Sequence, residues 1–318
     1  LFEPIKNLFR IPDLKRRILF TLFVLFIYRL GVHIPAPGID TAALMKLFAK
    51  GGILGFLDLF SGGALRRFSI FALGVAPYIN SAIVMQLLTV VIPYLEKLSK
   101  EGEEGRKKIT QYTRYGTVLF AALQSFGLTF WLEHSGVLYD TSLASRLIIV
   151  ATITAGSVFL MWLGEQISDH GVGNGISILI FAGIVARIPA GLTQTLSLLK
   201  VGELSFINVL LFAVIAILVV AGVVMVQEGQ RRLPIQYAKR IVGRQIYGGQ
   251  TTFLPLRVNM GGVIPIIFAS SILVFPSTIA QFLPEGAKGV LSIFRPGHPV
   301  YMVAYALLII FFTYFYTA

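Results

Sequence analysis

Four histidines, His33, His134, His170 and His298, are the residues whose ordinary pKa lies nearest neutrality. They are scattered along the chain: three fall near the ends of apolar segments and His170 in a short turn, with no metal-ligand spacing, so solvated or capping roles are expected. There is no HExxH, no phosphate-loop GxxxxGK and no GxSxG elbow. Cysteine is absent, which removes disulfides and thiolate metal or redox sites. Gly171-Val172-Gly173-Asn174-Gly175 imitates a phosphate loop but follows no strand, so a tight turn is expected. The chain is read as having no enzymatic activity, with no catalytic residue, no metal and no cofactor. The apolar segments carry no Asp or Glu near their middles; Glu165 and Glu228 fall at segment ends. Ion-coupled transporters usually need such a buried ionisable group, although carbonyls at broken helices can replace one.

The chemistry that remains is that of apolar and amide side chains at membrane depth. Gly74 precedes Val75 and Ile79, Gly175 precedes Ile176 and Ile180, and Gly262 precedes Val263 and Ile267. Each is a β-branched pair at i, i+4 on one helical face beside a helix-weakening glycine. Singly, such pairs pack or face lipid; three together suggest an aliphatic constriction that closes a pore by dewetting. Asn80 and Gln86 in one segment, with Ser270, Ser271 and Thr278 in another, suggest a separable polar seam. Hydrogen bonds between helices in lipid contribute only about 0.6–2 kcal/mol each; ordinary packing is the competing explanation. The stretch from Phe60 to Thr89 combines Ser61-Gly62-Gly63, Arg66 and Arg67, then Pro77 and Asn80. Irregular backbone at that depth is tolerated only where protein or water satisfies it.

Positioning these residues requires many spans. Hydrophobic residues make up 56% of the chain and charged ones 13%, with mean hydropathy +0.79. An all-α polytopic membrane protein is expected, since long runs such as Val209–Val226 do not alternate as a β-barrel strand would. Eight spans are predicted, at 18–34, 69–92, 113–132, 145–164, 175–190, 206–227, 259–283 and 299–318. The net charge of +12 is read first as topology. Lys and Arg concentrate before the first span (Lys6, Arg10, Lys15, Arg16, Arg17), between spans two and three, and between spans six and seven. That bias places the N-terminus in the cytoplasm. No cleavable signal is seen. A first residue that is not Met, and a last one inside an apolar run, read as a fragment of a longer chain.

Two cytoplasmic loops exceed a turn. Residues 94–112 are densely charged and read as a solvated helix-turn. Residues 228–258 mix Arg231, Arg232, Lys239, Arg240 and Arg244 with aromatic and β-branched residues, which predicts an ordered basic hairpin; it is either a plain topology signal or a docking surface for an acidic or RNA-containing partner. The opposite loop, 35–68, contains ILGFLDLF (Ile53–Phe60), too short to span and read as a half-helix or re-entrant piece. An interfacial helix is the alternative.

Five motifs then carry a resemblance: LFSGGALRRFSIFALGVAPYI, KLSKEGEEGRKKITQYTRYGT, MWLGEQISDHGVGNGISILIFAGIVA, QRRLPIQYAKR and LRVNMGGVIPIIFASSILVFP. Along essentially the whole chain this resembles the bacterial SecY family, central subunits of the protein-conducting channel. The resemblance implies a two-half helical clamshell with inverted pseudo-symmetry, of which eight of ten transmembrane helices would be present. Residues 1–190 would form the N-terminal half, and 191–318 a hinge loop (about 191–205) and part of the second half. It implies a pore ring matching Val75, Ile79, Ile176, Ile180 and Ile267, with Val263 adjacent. It implies a plug helix over about 53–66, including Leu57, Phe60, Ser61, Gly62, Gly63 and Arg66. A lateral gate would hold Asn80, Gln86, Ser271, Phe275 and Thr278. The basic loop would receive the SecA ATPase or the ribosome. Other implied partners are SecE and SecG subunits, signal peptides, unfolded polypeptides and membrane lipids of the bacterial plasma membrane. Outside that family, a small-solute secondary transporter with broken helices is the main rival reading.

Overall fold

A computed structural model describes residues 11–41, 43–45, 58, 61–236, 240–242, 245–247, 251–279 and 298–317. The side chains of 236, 240–242, 245–247, 251, 252, 271 and 274–279 lie outside that description. The described helices are α1 Pro12–Gly31, α2 Ala76–Val91, α3 Pro93–Lys100, α4 Glu103–His134, α5 Leu143–His170, α6 Gly175–Val185, α7 Ile188–Val201 and α8 Phe206–Glu228, followed after a β-hairpin by α9 Ile264–Ile279 and α10 Pro299–Thr317. Proline marks most of these starts: Pro12, Pro77, Pro93, Pro189, Pro265 and Pro299 all fall at the first or second helical position. There the missing N–H is no loss and the fixed φ suits the helix. Pro77 and Pro265 therefore begin helices rather than interrupt them.

The chain forms two compact units, one of residues 1–191 with 270–305 and the other of 192–269 with 306–318. In the first, α4 lies between α2 and α5, while α5 also packs against α1 and α6. Cross-helix polar links fix this packing. Thr21 Oγ1 accepts from Val172 N at 3.1 Å, Arg114 Nε meets Glu165 Oε1 at 2.9 Å, and Arg146 Nη2 meets Glu133 Oε1 at 2.5 Å. The glycine-rich stretch 171–175 is the expected tight turn: Asn174 Oδ1 caps α6 by accepting from Ser177 N, and Ser168 Oγ accepts from Gly175 N. In the second unit Phe268 packs edge-on against Phe312 at 5.6 Å.

The described residues within 228–258 pair as the expected hairpin. Strand β1 (Gln230–Gln236) pairs antiparallel with β4 (Thr251–Arg257), with Leu233 opposite Leu254, and β2 (Arg240–Val242) pairs with β3 (Gln245–Tyr247). Pro234 and Pro255 are tolerated because each two-stranded ribbon has only edge strands.

Three expectations change. Of the eight predicted spans, the described residues carry five helices long and apolar enough to cross a membrane: α4, α5, α6 with α7, α8 and α10. A sixth exists if α2 and α3, bent by 100°, count together. Helix α1, over the predicted first span, begins at Pro12 and carries Asp13, Lys15, Arg16 and Arg17 in its opening turns; α2 has 16 residues, and α9 is described as far as Ile279. Second, the expected hinge loop at 191–205 is helical as far as Val201. Only 202–205 stand outside helix there, after Gly202 at φ +81°. Third, residues 61–66 are not helical but form turns, with Gly62 and Gly63 at positive φ; two glycines in the left-handed region stop a right-handed helix. Asp58 is helical; residues 53–57, 59 and 60 of the expected plug helix, Leu57 and Phe60 among them, lie outside the described residues.

Candidate channel site

The site begins where Ser61–Gly74 delay the second span. This run of turns enters the first unit and is buried except at a few positions, notably Arg66 and Arg67, which are exposed. Phe68 holds a left-handed φ of +45°, and its carbonyl accepts from Ala36 N at 2.8 Å. Phe68, Leu65 and Ala72 share a core with Leu44, Leu132, Ile149 and Ile153. Ala64, Phe71 and Val75 belong to another, with Tyr28, Leu160, Ile167 and Leu179.

All three aliphatic pairs occur at helix starts. Val75 is the N-cap of α2, after Gly74 at φ +59°, and its carbonyl accepts from Ile79 N at 3.1 Å. Gly175 is the first residue of α6. Gly262, at φ +60°, precedes α9, and the Val263 carbonyl accepts from Ile267 N at 3.2 Å. The glycines read from the sequence as weakening a helix instead permit the turn that starts one. Within the first unit, Ile79, Ile176 and Ile180, all half-buried, pack against the core that contains Val75. That core brings four of the six predicted ring residues into one cluster. Val263 (54% exposed) and the half-buried Ile267 belong to the second unit.

Two of the predicted plug residues, Ser61 and Gly62, accept hydrogen bonds from α1. Tyr28 donates its hydroxyl to the Ser61 carbonyl at 3.3 Å, and Arg29 Nη1 donates to the Gly62 carbonyl at 3.2 Å. Gly62 also presses on α6: a Cβ there would stand 2.8 Å from Gly183 Cα and 2.9 Å from the Tyr28 hydroxyl oxygen. Its φ of +66° independently favours glycine.

Sequence reading passed over Asp58. Its residue is 1% exposed. Oδ1 accepts from Arg66 N at 2.9 Å and from Ser61 Oγ at 3.3 Å, while Oδ2 lies 3.0 Å from Arg187 Nη1. The available signal was a lone carboxylate inside ILGFLDLF. A charge in an eight-residue apolar run must find a partner or stay in water.

Of the residues predicted for a gate, Asn80 and Gln86 are half-buried on α2. Ser271, Phe275 and Thr278 lie on the backbone of α9, their side chains outside the description. In the basic hairpin, Arg231 and Arg232 are exposed on β1 and Arg240 begins β2; Lys239 and Arg244 lie outside the described residues. Among the described residues no cluster of His, Asp and Glu suits a metal ion.

Comparison with known proteins decides the family. The SecY family model matches residues 69–318. The chain belongs to the SecY family. It is 49% identical over 317 residues to the protein translocase subunit SecY of Escherichia coli K12, covering 96% of this chain and 72% of that one. It is 47% identical over 328 residues to the SecY of Halalkalibacterium halodurans, covering 100% and 76%. Two solved structures share the fold. One is described as a protein conducting channel (TM-score 0.63, 20% identity), and the other as Sec61 in a canine ribosome–channel complex (TM-score 0.61, 20% identity). Each covers 84% of this chain, and the chain spans 58% of the length of each. A SecY-type multi-pass membrane protein is thereby established for this chain, and the small-solute transporter reading is left without support.

Proposed function

We propose that the chain forms the body of a passive protein-conducting channel in the bacterial plasma membrane. It passes unfolded secretory polypeptides across the bilayer and releases apolar segments sideways into lipid. The observation that carries this reading is the Ser61–Gly74 run of turns, seated by hydrogen bonds and glycine contacts beside the core that gathers Val75, Ile79, Ile176 and Ile180. A buried turn in front of an aliphatic cluster is a stopper beside a constriction. An aliphatic constriction excludes water and ions without a charged filter, yet widens around a polypeptide.

In this reading Val75, Ile79, Ile176, Ile180, Val263 and Ile267 form the ring, and the segment containing Ser61, Gly62, Gly63 and Arg66 forms the plug. Asn80 and Gln86 face a lateral gate completed by Ser271, Phe275 and Thr278. The N-terminus lies in the cytoplasm. The exposed hairpin with Arg231 and Arg232 receives the SecA ATPase or the ribosome, which supply the direction and energy for which the chain has no nucleotide motif; SecE and SecG complete the assembly. The test is reconstitution of the complete channel in proteoliposomes with SecA, ATP and a signal-bearing unfolded substrate. Protease-protected substrate that depends on the channel is expected. Its absence, with SecA bound and ATP hydrolysed, overturns the proposal.

A further inference from the structure

We infer that Asp58 and Arg187 form an electrostatic latch that holds the plug segment against the end of α6, and that breaking it lowers the threshold for opening. The inference rests on the channel reading and adds to it the particular contact that keeps the stopper seated. Asp58 is 1% exposed, whereas the Arg187 side chain keeps 31% of its surface in contact with solvent. The arginine follows directly on α6, whose C-cap is Ala186. Its Nη1 stands 3.0 Å from Asp58 Oδ2 but is not aligned for a hydrogen bond. The attraction is therefore one of charge rather than of direction.

The other carboxylate oxygen is occupied within the segment, by Arg66 N and Ser61 Oγ, and the Asp58 carbonyl accepts from Gly63 N at 3.2 Å. Asp58 thus organises the turn and links it to another element. Among the described residues, Tyr28 and Arg29 also tie this turn to α1, at the Ser61 and Gly62 carbonyls, which are backbone acceptors. These ties depend on where the turn lies and not on what charge it carries. Among the described residues, the Asp58–Arg187 pair is the tie of this turn in which both ends are charged side chains. It has the asymmetry expected of a releasable contact. With the arginine removed, a buried carboxylate is left without its cation, which is costly in a low-dielectric site. When the segment swings out instead, both groups reach water and lose little. Closure is thereby favoured as long as the pair is made, and the open state carries no stranded charge.

The test uses the complete channel in proteoliposomes and reads resting potassium leak, together with translocation of a native substrate. Arg187→Met is expected to raise the leak at least ~10-fold. Arg187→Lys, which keeps the charge and needs no aligned hydrogen bond, is expected to stay within about twofold of the parent. Asp58→Asn preserves an acceptor for Ser61 and Arg66 and is expected to leak like Arg187→Met. The double variant Asp58→Asn/Arg187→Met is expected to leak no more than the leakier single one, as coupled residues do. A leak unchanged in both singles overturns the latch, as does a double variant whose effects multiply, or an Arg187→Lys channel that leaks like Arg187→Met. Should Asp58→Asn fail to assemble, the Arg187 variants decide alone, since that side chain is partly in solvent. Failure of the parent to translocate counts against the channel reading; the leak ratios still decide the latch.

Discussion

Ser81 Oγ, buried on α2, donates to the backbone carbonyl oxygen of Thr113 on α4 at 2.7 Å. The same carbonyl accepts from Thr117 Oγ1 at 2.7 Å. A Cβ on Gly116 would fall onto Ser81 Oγ, so a small residue and a hydroxyl together set how closely the two helices approach. Close backbone approach and shared hydrogen bonds are what hold helices together where lipid removes the hydrophobic drive. Ser81→Ala is expected to lower stability by about 1 kcal/mol, and Gly116→Leu by more, because it forces α2 away from α4. Thermal unfolding of the purified channel in detergent checks this; a Gly116→Leu protein as stable as the parent contradicts the packing.

The proposed ring residues should control leak. Replacing Ile79, Ile180 and Ile267 with Ser in the complete channel is expected to raise resting ion conductance several-fold in planar bilayers, because hydroxyls allow water into an apolar constriction. An unchanged conductance removes these residues from the seal.

Parting of α2 from α9 is the gate proposal. A cysteine pair at Asn80 and Phe275 should cross-link on oxidation, stop translocation and release it again on reduction. Full translocation despite complete cross-linking refutes the gate.

The exposed hairpin offers a docking test. Charge reversal at Arg231 and Arg232 is expected to weaken SecA affinity about tenfold or more at low salt and less at high salt, since exposed charges are screened within about 10 Å at 0.1 M. Affinity that ignores both the substitutions and the salt excludes the hairpin as the docking surface.

Between α4 and α5, hydrogen bonds from Ser142 Oγ and Ser142 N hold the Asp140 carboxyl below its usual 3.8. A lowered carboxylate pKa stabilises the fold above the ordinary value, and that contribution fades as pH falls below it. NMR titration should therefore find Asp140 below 3.8, returning towards it in Ser142→Ala. An Asp140 that titrates identically in both proteins contradicts these bonds.

Much of this architecture was legible from residue type alone. Apolar runs of twenty residues have one comfortable environment, so the membrane class and the positions of the long helices α4, α5, α8 and α10 follow from composition and spacing. The aromatic and β-branched residues mixed with the charges of 228–258 likewise announced a hairpin, and the spacing of the aliphatic pairs marked positions of which four share a core. Tertiary structure decided the rest. Pro77 and Pro265 look like breaks in one dimension and prove to be helix starts, because the glycines before them turn the chain through positive φ. Residues 191–201, read as a hinge loop, are helical, because loop and helix differ there in context rather than composition. Asp58 is the clearest case. In the sequence it is one carboxylate in an apolar octapeptide, and its meaning depends on Arg187, which lies 129 residues on and meets it at 3.0 Å. Charge pairing across such a separation leaves no periodic trace along the chain, so only folding brings the two together.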